Sequence, residues 1–429
     1  MDKAIPLNVS DIIFREDLYP RFDSDPTTIQ QYAENLDVLP PVEINQHNEL
    51  IDGYHRWTAH RKKGEKTIQA IVTETKSDNH FLRLAIERNA WHGLQLSNPE
   101  KKHLVLKMYT GDKDEKAEFA RLLSVTERTI KNWTSRRDKD LKEKRNQDIF
   151  DMWLACYTED EIAEEMGTVQ QTVSNVIKES LILENFPKLG IFANYQEPGW
   201  KPPIYNIWKK QNKTNKVTHP GNSEAGFLDK LLYLYTNPFD IVVDPFGGGG
   251  STIDICKKRL RRYWVSDRLP IVERNDIRQL DITQSVPPLH KRWGDVKLLY
   301  LDPPYWKQAE GAYSQDETDL ANMPLDEFYI KLMNLVYTCA DKMKPGSHLA
   351  LMIQPTQWKN EDKSVTDHVT DLIAASLAYQ TLSLSIRISC PYESQQANAQ
   401  QVQWAKDNKQ ILVLSREIII WEVLGDKTS

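Results

Sequence analysis

The spacing of apolar and polar positions falls into three regimes. From residue 1 to about 97, short apolar runs alternate with turns. Leu39-Pro40-Pro41-Val42-Glu43-Ile44 and Ile68-Gln69-Ala70-Ile71-Val72 predict strands, and Arg56 to Arg61, stopped by Gly64, predicts a helix, so an α+β domain is expected over 1–97. From 98 to 195 the period is helical and the pattern occurs twice. Glu118 to Leu123, a break at Ser124-Val125-Thr126, and Glu127 to Trp133 predict two helices joined by a tight turn. Glu161 to Met166, then Gly167, then Thr172 to Ile177 predict another such pair. Ala120 and Ala163 supply small faces for a helix crossing, and Leu123, Ile130, Met166, Val173 and Ile177 supply an apolar seam. Both pairs read as helix-turn-helix units. From 196 to 429 the apolar runs no longer alternate. Asp240 to Asp244, Tyr263 to Asp267, Lys297 to Asp302, Ser347 to Ile353 and Gln410 to Leu414 predict strands, with Thr252 to Arg262 as one of the intervening helices. Strands apolar on both faces belong to a sheet covered by helices on both sides, which makes this part α/β and puts its ligand at the strand carboxyl ends.

A chain of 429 residues exceeds a single core, in keeping with three parts. With 40% hydrophobic and 27% charged residues and no apolar window near eighteen residues, a membrane span is not expected. The start Met1-Asp2-Lys3 lacks the charge and apolar run of a secretion signal, and the cytoplasm is the expected location. The four cysteines, Cys156, Cys256, Cys339 and Cys390, are far apart, so no structural metal is expected.

The net charge of −6 excludes a wholly basic nucleic-acid wrapper and leaves room for a local footprint. Lys201, Lys209, Lys210, Lys213 and Lys216 lie in one stretch free of acids, and Arg128, Lys131, Arg136 and Arg137 in another. In a helix-turn-helix unit the second helix turns its polar side to the major groove. Here that side carries Arg128, Thr129, Lys131 and Asn132 in the first unit, and Gln170, Gln171, Ser174 and Asn175 in the second. Asn and Gln suit adenine and Arg suits guanine, so double-stranded DNA is the expected partner. The same geometry also serves plain helix packing or a homodimer contact.

Candidate chemistry concentrates in the third part. Asp244-Pro245-Phe246-Gly247-Gly248-Gly249-Gly250-Ser251-Thr252 leads from a strand into a helix, and its glycines let backbone approach a ligand closely. No lysine of the P-loop kind follows, so triphosphate hydrolysis at this turn is disfavoured. The next strand ends in Asp267, placed to accept hydrogen bonds from ribose hydroxyls. These features leave a dinucleotide open. Asp302-Pro303-Pro304-Tyr305-Trp306, at the end of a further strand, narrows the choice. Two prolines stiffen the backbone beside a carboxylate and an aromatic face. If Asp302 and the Pro303 carbonyl each accept one N–H of a base's amino group, the nitrogen lone pair becomes available, and Tyr305 can stack the base once it leaves the duplex.

Over residues 205–420 the chain resembles the amino-methyltransferases of DNA, which modify adenine N6 or cytosine N4. The resemblance implies a Rossmann-like sheet, S-adenosylmethionine as cofactor, and Asp302, Pro303, Pro304 and Tyr305 as the catalytic motif. It implies Asp244, Phe246, Gly247 and Gly249 as the cofactor turn, Asp267 as the ribose contact, Asp281 as the contact to the cofactor adenine, and His219-Pro220-Gly221-Asn222 as one side of the pocket. Ser223-Glu224-Ala225-Gly226 departs from the proline-containing turn common there. Asp302, where the N4 members more often have serine, favours adenine N6. The separate target-recognition insert usual in the family is missing, and Trp358 to Asp367 and Glu393 to Gln401 are the segments left to reach DNA. None of the cysteines follows a proline, which disfavours C5-cytosine chemistry. RNA or protein-glutamine methylation and a non-catalytic DNA-binding regulator are the alternatives.

The first part resembles the ParB partition and sulfiredoxin-like domains in Gly53-Tyr54-His55-Arg56, Leu84 to Asn89, and Gly93-Leu94-Gln95-Leu96-Ser97. That likeness implies a nucleotide or phosphate site with His55, Arg56 and Arg88. His55 stands where partition proteins carry the first of two arginines. The fusion resembles arrangements in phages, mobile elements and restriction-modification systems.

Overall fold

Alternating burial along short strands builds the first sheet of the computed structural model, which describes residues 4–20, 25–92, 96–185, 187–209, 225–311, 313–391 and 397–425. The chain divides into two compact units, Met1–Arg145 and Asn146–Ser429. In the first, β1 (Ile5–Asn8), α1 (Pro26–Glu34), β2 (Val42–Ile44), β3 (Leu50–Asp52), α2 (Tyr54–Lys63) and β4 (Thr67–Val72) form an α+β layer with sheet order β1-β4-β2-β3. Only the β4–β2 pair is parallel. Val42, Ile44, Leu50, Ile68 and Ala70 pack under Trp57, whose indole donates to the Val9 carbonyl at 3.1 Å. Then follow α3 (Asp78–His92), α4 (Asn98–Met108), α5 (Glu115–Leu122) and α6 (Glu127–Leu154). Leu104, Val105, Phe119, Leu123 and Ile130 form their core.

The second unit opens on the end of α6, then α7 (Glu159–Glu165), α8 (Gln170–Ser180) and α9 (Pro187–Ala193). Thr158 caps α7 through a reciprocal bond with Glu161, and Ile149, Ile162, Val173 and Ile177 make a small core. Both predicted helix pairs are present, but α6 runs for 28 residues, well beyond the short second helix expected. The expected boundaries at 97/98 and 195/196 do not delimit the compact units. Phe150, Leu154 and Ala193 are buried with Leu231, Leu232 and Val242 of the sheet domain, and Arg261 donates to the Ala193 carbonyl at 2.7 Å.

The main sheet is built from α10 (Ala225–Tyr235), β5 (Ile241–Asp244), α11 (Ser251–Arg259), β6 (Arg262–Asp267), β7 (Arg278–Gln279), β8 (Val296–Leu301), α12 (Leu325–Ala340), β9 (His348–Ile353), α13 (His368–Ser376), β10 (Leu382–Pro391), α14 (Ala399–Asn408) and β11 (Ser415–Val423). Its order is β10-β11-β9-β8-β5-β6-β7. The five strands from β9 to β7 are parallel, and β11 runs against both β9 and β10. Cores on both faces explain the unalternated strands: Val243, Leu299, Leu301 and Leu351 face one, Val242, Leu298, Tyr300 and Met352 the other. This is a Rossmann-like α/β sheet. Three details differ from the sequence pattern: Gln410 to Leu414 is irregular, the strand being Ser415–Val423, and neither β7 nor β10 was foreseen. Among the described residues no helix is long and apolar enough to cross a membrane.

Candidate active site

From β5 the chain proceeds outward to β6 and β7, then returns to add β8 on the other side of β5. Loops leaving the carboxyl ends of β5 and β8 therefore diverge and leave a crevice. A cleft of about 950 Å³, counting its open mouth, lies there. Pro245, Phe246 and Gly248 follow β5, Asp267 and Arg268 close β6, Leu280 to Thr283 follow β7, and Asp302 and Pro304 follow β8.

The glycine turn is shaped from beneath and beside. Asp244 is buried under it, accepting from the Phe246 amide at 2.9 Å and from the Thr252 hydroxyl. Burial pushes its carboxyl up to about 7, and nearby Asp302 and Asp267 add to the rise. A Cβ at Gly247 would lie 2.8 Å from Val265 Cγ1 and 3.0 Å from the Ser266 carbonyl oxygen, so this glycine lets the turn lie flat on β6. Gly250, at φ +80°, would drive a Cβ into the Arg274 guanidinium. That guanidinium, paired with Asp254 and Asp276, also donates to the Gly249 carbonyl at 3.2 Å. Gly247 and Gly250 thus shape the turn and the Gly249 carbonyl is held by Arg274, while Phe246 and Gly248 line the cleft.

Asp267 accepts from the Gly248 amide at 2.9 Å and the Leu269 amide at 3.0 Å, which fixes its carboxylate at the cleft wall. Asp281 accepts from the Thr283 amide and hydroxyl, at 3.0 and 2.6 Å. Asp302 sits on the rim and accepts from the Tyr305 hydroxyl at 3.0 Å, while Pro303 is buried. The structure therefore brings Asp267, Asp281, Asp302, Phe246 and Pro304 into one cleft. His219, Pro220, Gly221 and Asn222 lie outside the described residues, as do Glu393 to Gln396.

Sequence reasoning missed Arg268, Arg274 and Tyr313. Arg268 reaches Asp281 at 3.5 Å on one side and Asp316 and Thr318 (2.9 Å) on the other, tying the wall beyond β7 to the loop that follows the proline motif. Tyr313 and Thr318 of that loop line the cleft, and burial pushes the Tyr313 phenol up to about 12. Position next to Asp267 was the one available signal for Arg268.

The other predicted residues lie apart from this cleft in sequence and role. Arg128, Lys131 and Asn132 are exposed on α6. Gln170, Gln171 and Asn175 are exposed on α8 with Ser174 half-buried, and Gln171 donates to Asn175 at 3.0 Å. In the first unit a separate cleft contains Gly53, His55, Arg56 and Arg88. Both arginines there are paired with acids: Arg56 with Asp52 at 2.6 Å, Arg88 with Glu43 at 2.7 Å. His55 Nε2 accepts from the Asp25 amide at 3.0 Å.

Carboxylates that can accept from ribose hydroxyls and offset a sulfonium charge, beside apolar Phe246, Leu280 and Ile282, fit S-adenosylmethionine. Among solved structures the chain is similar to chromosome-partitioning protein ParB from Caulobacter crescentus complexed to the centromeric parS site, with 14% identity, covering 43% of this chain and 97% of that one, TM-score 0.25. It is similar to TrmN from Thermus thermophilus (13%; 47% and 49%; 0.29) and to a SAM-dependent methyltransferase from Archaeoglobus fulgidus (12%; 46% and 94%; 0.28). Scores this low carry no weight for fold or chemistry. No curated protein matches the chain. The N6_N4_Mtase family model, described as DNA methylase, matches residues 45–268, taking in the glycine turn and Asp267 and ending before Asp302. Because that match spans more than half of the chain, the chain belongs to this family, the S-adenosylmethionine-dependent methyltransferases of DNA amino groups.

Proposed function

We propose that the chain methylates N6 of adenine in duplex DNA, with Asp302 as the acceptor that prepares the amino nitrogen. The observation that carries the reading is the position of Asp302 on the rim of the cofactor cleft, beside buried Pro303 and held by Tyr305. Phe246, Asp267 and Asp281 hold the cofactor, which supplies an electrophilic methyl carbon on a sulfonium. Asp302 and the Pro303 carbonyl accept the two amino hydrogens, localise the nitrogen lone pair toward the methyl carbon, and offset the positive charge that nitrogen gains before it loses a proton. Tyr305 gives the extruded base a flat neighbour.

The exposed polar faces of α6 and α8 support duplex contact through Arg128, Lys131, Asn132, Gln170, Gln171, Ser174 and Asn175. The first unit reads as a ParB-type domain whose cleft takes a nucleotide phosphate, which would replace Asp52 and Glu43 as partner of Arg56 and Arg88. Cytoplasmic DNA is the substrate on this reading. Sequencing the modified bases of DNA from cells that express the chain tests it. N6-methyladenine at one recurrent sequence supports the reading, and modified cytosine alone contradicts the choice of base.

A further inference from the structure

The strand directions of the second unit place an unassigned element beside the catalytic rim. β10 runs parallel to β9 and β8, since each lies antiparallel to β11 or parallel to a strand that does. Pro391, which ends β10, and Ser415, which begins β11, therefore emerge at the same edge of the sheet as Asp302. The connection between them carries α14, none of whose residues is buried. Only Gln401, Trp404 and Ala405 are half-buried, so α14 adds little to the core.

The element is nevertheless held in place. Asn398 and Gln401 cap α14 reciprocally, Trp404 meets Trp358 edge-on at 5.8 Å, and Gln357 fastens the exit by donating to the Ile411 carbonyl and accepting from the Val413 amide, both at 2.9 Å. Between α14 and the end of β9 lies a cavity lined by Gln308, Gln354, Gln357, Trp358, Lys359 and Gln401. Its lining includes Gln308, three residues after Tyr305, whose amide donates to the Pro355 carbonyl at 2.8 Å. Gln357 spends both ends of its amide on backbone and serves as a clamp.

We propose that α14 and this cavity read the bases that flank the target adenine, with Gln401 as a specificity-determining residue and Lys359 as a phosphate contact. The proposal rests on the methyltransferase reading above. The Gln401 Oε1 caps α14 by accepting from the Asn398 amide at 3.0 Å, and its amide NH2 is the group that can donate to an acceptor on a base edge, whereas an exposed lysine attracts every phosphate alike. Trp358 adds an aromatic wall. The occupant is duplex DNA opened at the target, because Gln308 in the cavity wall lies six residues beyond Asp302 and α14 leaves the sheet at the same edge as Asp302.

The test compares the full chain with Gln401→Glu and Lys359→Gln on a random-flank duplex library, reading methylated adenines by sequencing and cofactor affinity by calorimetry. Glutamate retains the capping acceptor for the Asn398 amide, and no residue of α14 is fully buried, so the fold is preserved in this variant. The proposal expects Gln401→Glu to change the preferred flanks and to slow the preferred site about five- to a hundredfold at unchanged cofactor affinity. Lys359→Gln should weaken all sequences similarly and flatten the salt dependence. A wild-type chain that methylates adenine at a defined sequence, with Gln401→Glu keeping that sequence and rate, overturns this proposal alone. A wild-type chain that methylates no base overturns the methyltransferase reading and this proposal together.

Discussion

Tyr305 donates its hydroxyl hydrogen to Asp302 across 3.0 Å, so the aromatic face and the acceptor that the chemistry requires are fixed to each other before a base arrives. The bond holds one carboxylate oxygen in place and leaves orientation of the acceptor dependent on the ring. Tyr305→Phe should keep the flat face and lose this restraint, lowering kcat about tenfold at unchanged cofactor affinity. Tyr305→Ala should lose more. Equal kcat in wild type and Tyr305→Phe would show that the hydroxyl has no part in orienting Asp302.

Arg268 joins Asp281 to the Asp316–Thr318 loop across the cofactor cleft. The guanidinium is about a third exposed, so its ion pairs are partly screened. Arg268→Ala should raise the cofactor KM about tenfold with little change in kcat, and Arg268→Lys, unable to bridge both sides with one planar fork, should recover only part. A kcat loss with constant KM would place Arg268 in the chemical step.

The proposed catalytic motif can be picked out in the sequence because Asp302 to Tyr305 are neighbours at a strand end, and the glycine turn is equally local. Long-range relations were less so. Glu417 reads as a break in an apolar run, yet in β11 it is buried and paired with Arg387 at 3.1 Å, which hid the strand and shifted the expectation to Gln410–Leu414. β10 was legible, since Leu382, Leu384, Ile386 and Ile388 alternate with Ser383, Ser385, Arg387 and Ser389, but a reading tuned to unalternated apolar runs passes over it. Arg274 lies 25 residues from the glycine whose carbonyl it holds, a spacing with no local signature.

Removing residues 1–145 should leave cofactor affinity essentially unchanged, since the cut spares every element around the cleft. Removing 1–195 also deletes Phe150, Leu154 and Ala193 from the core beneath the sheet, and the backbone carbonyls that receive Arg259, Arg261, Arg262, Arg278 and Arg292. The shorter protein should lose several kcal/mol of stability or fail to fold. Equal thermal midpoints for the two truncations would contradict this account of residues 146–195.

Asp244 ionises near 7 in the folded chain and near the ordinary carboxylate value when unfolded. The folded state therefore binds the extra proton between about pH 4 and about pH 7. Stability linked to neutral Asp244 is full below that range and is lost as pH rises through it. Asp244→Asn keeps an acceptor for the Phe246 amide and buries no charge. Its thermal midpoint should gain on wild type as pH rises from about 4 to about 7, the gap then staying constant above that range. Parallel curves would show that Asp244 does not titrate in this window.

The most direct measurement is transfer of a labelled methyl group from S-adenosylmethionine to mixed-sequence duplex DNA by the full chain and by Asp302→Ala, followed by digestion and chromatography of the nucleosides. Calorimetry with S-adenosylmethionine accompanies both proteins. The account predicts label in N6-methyladenine for the full chain, and for Asp302→Ala unchanged cofactor affinity with transfer reduced by orders of magnitude. Label in N4-methylcytosine would change the base and keep the mechanism. Label in 5-methylcytosine, or undiminished transfer by Asp302→Ala, would contradict the role of Asp302 as the acceptor that prepares an amino nitrogen.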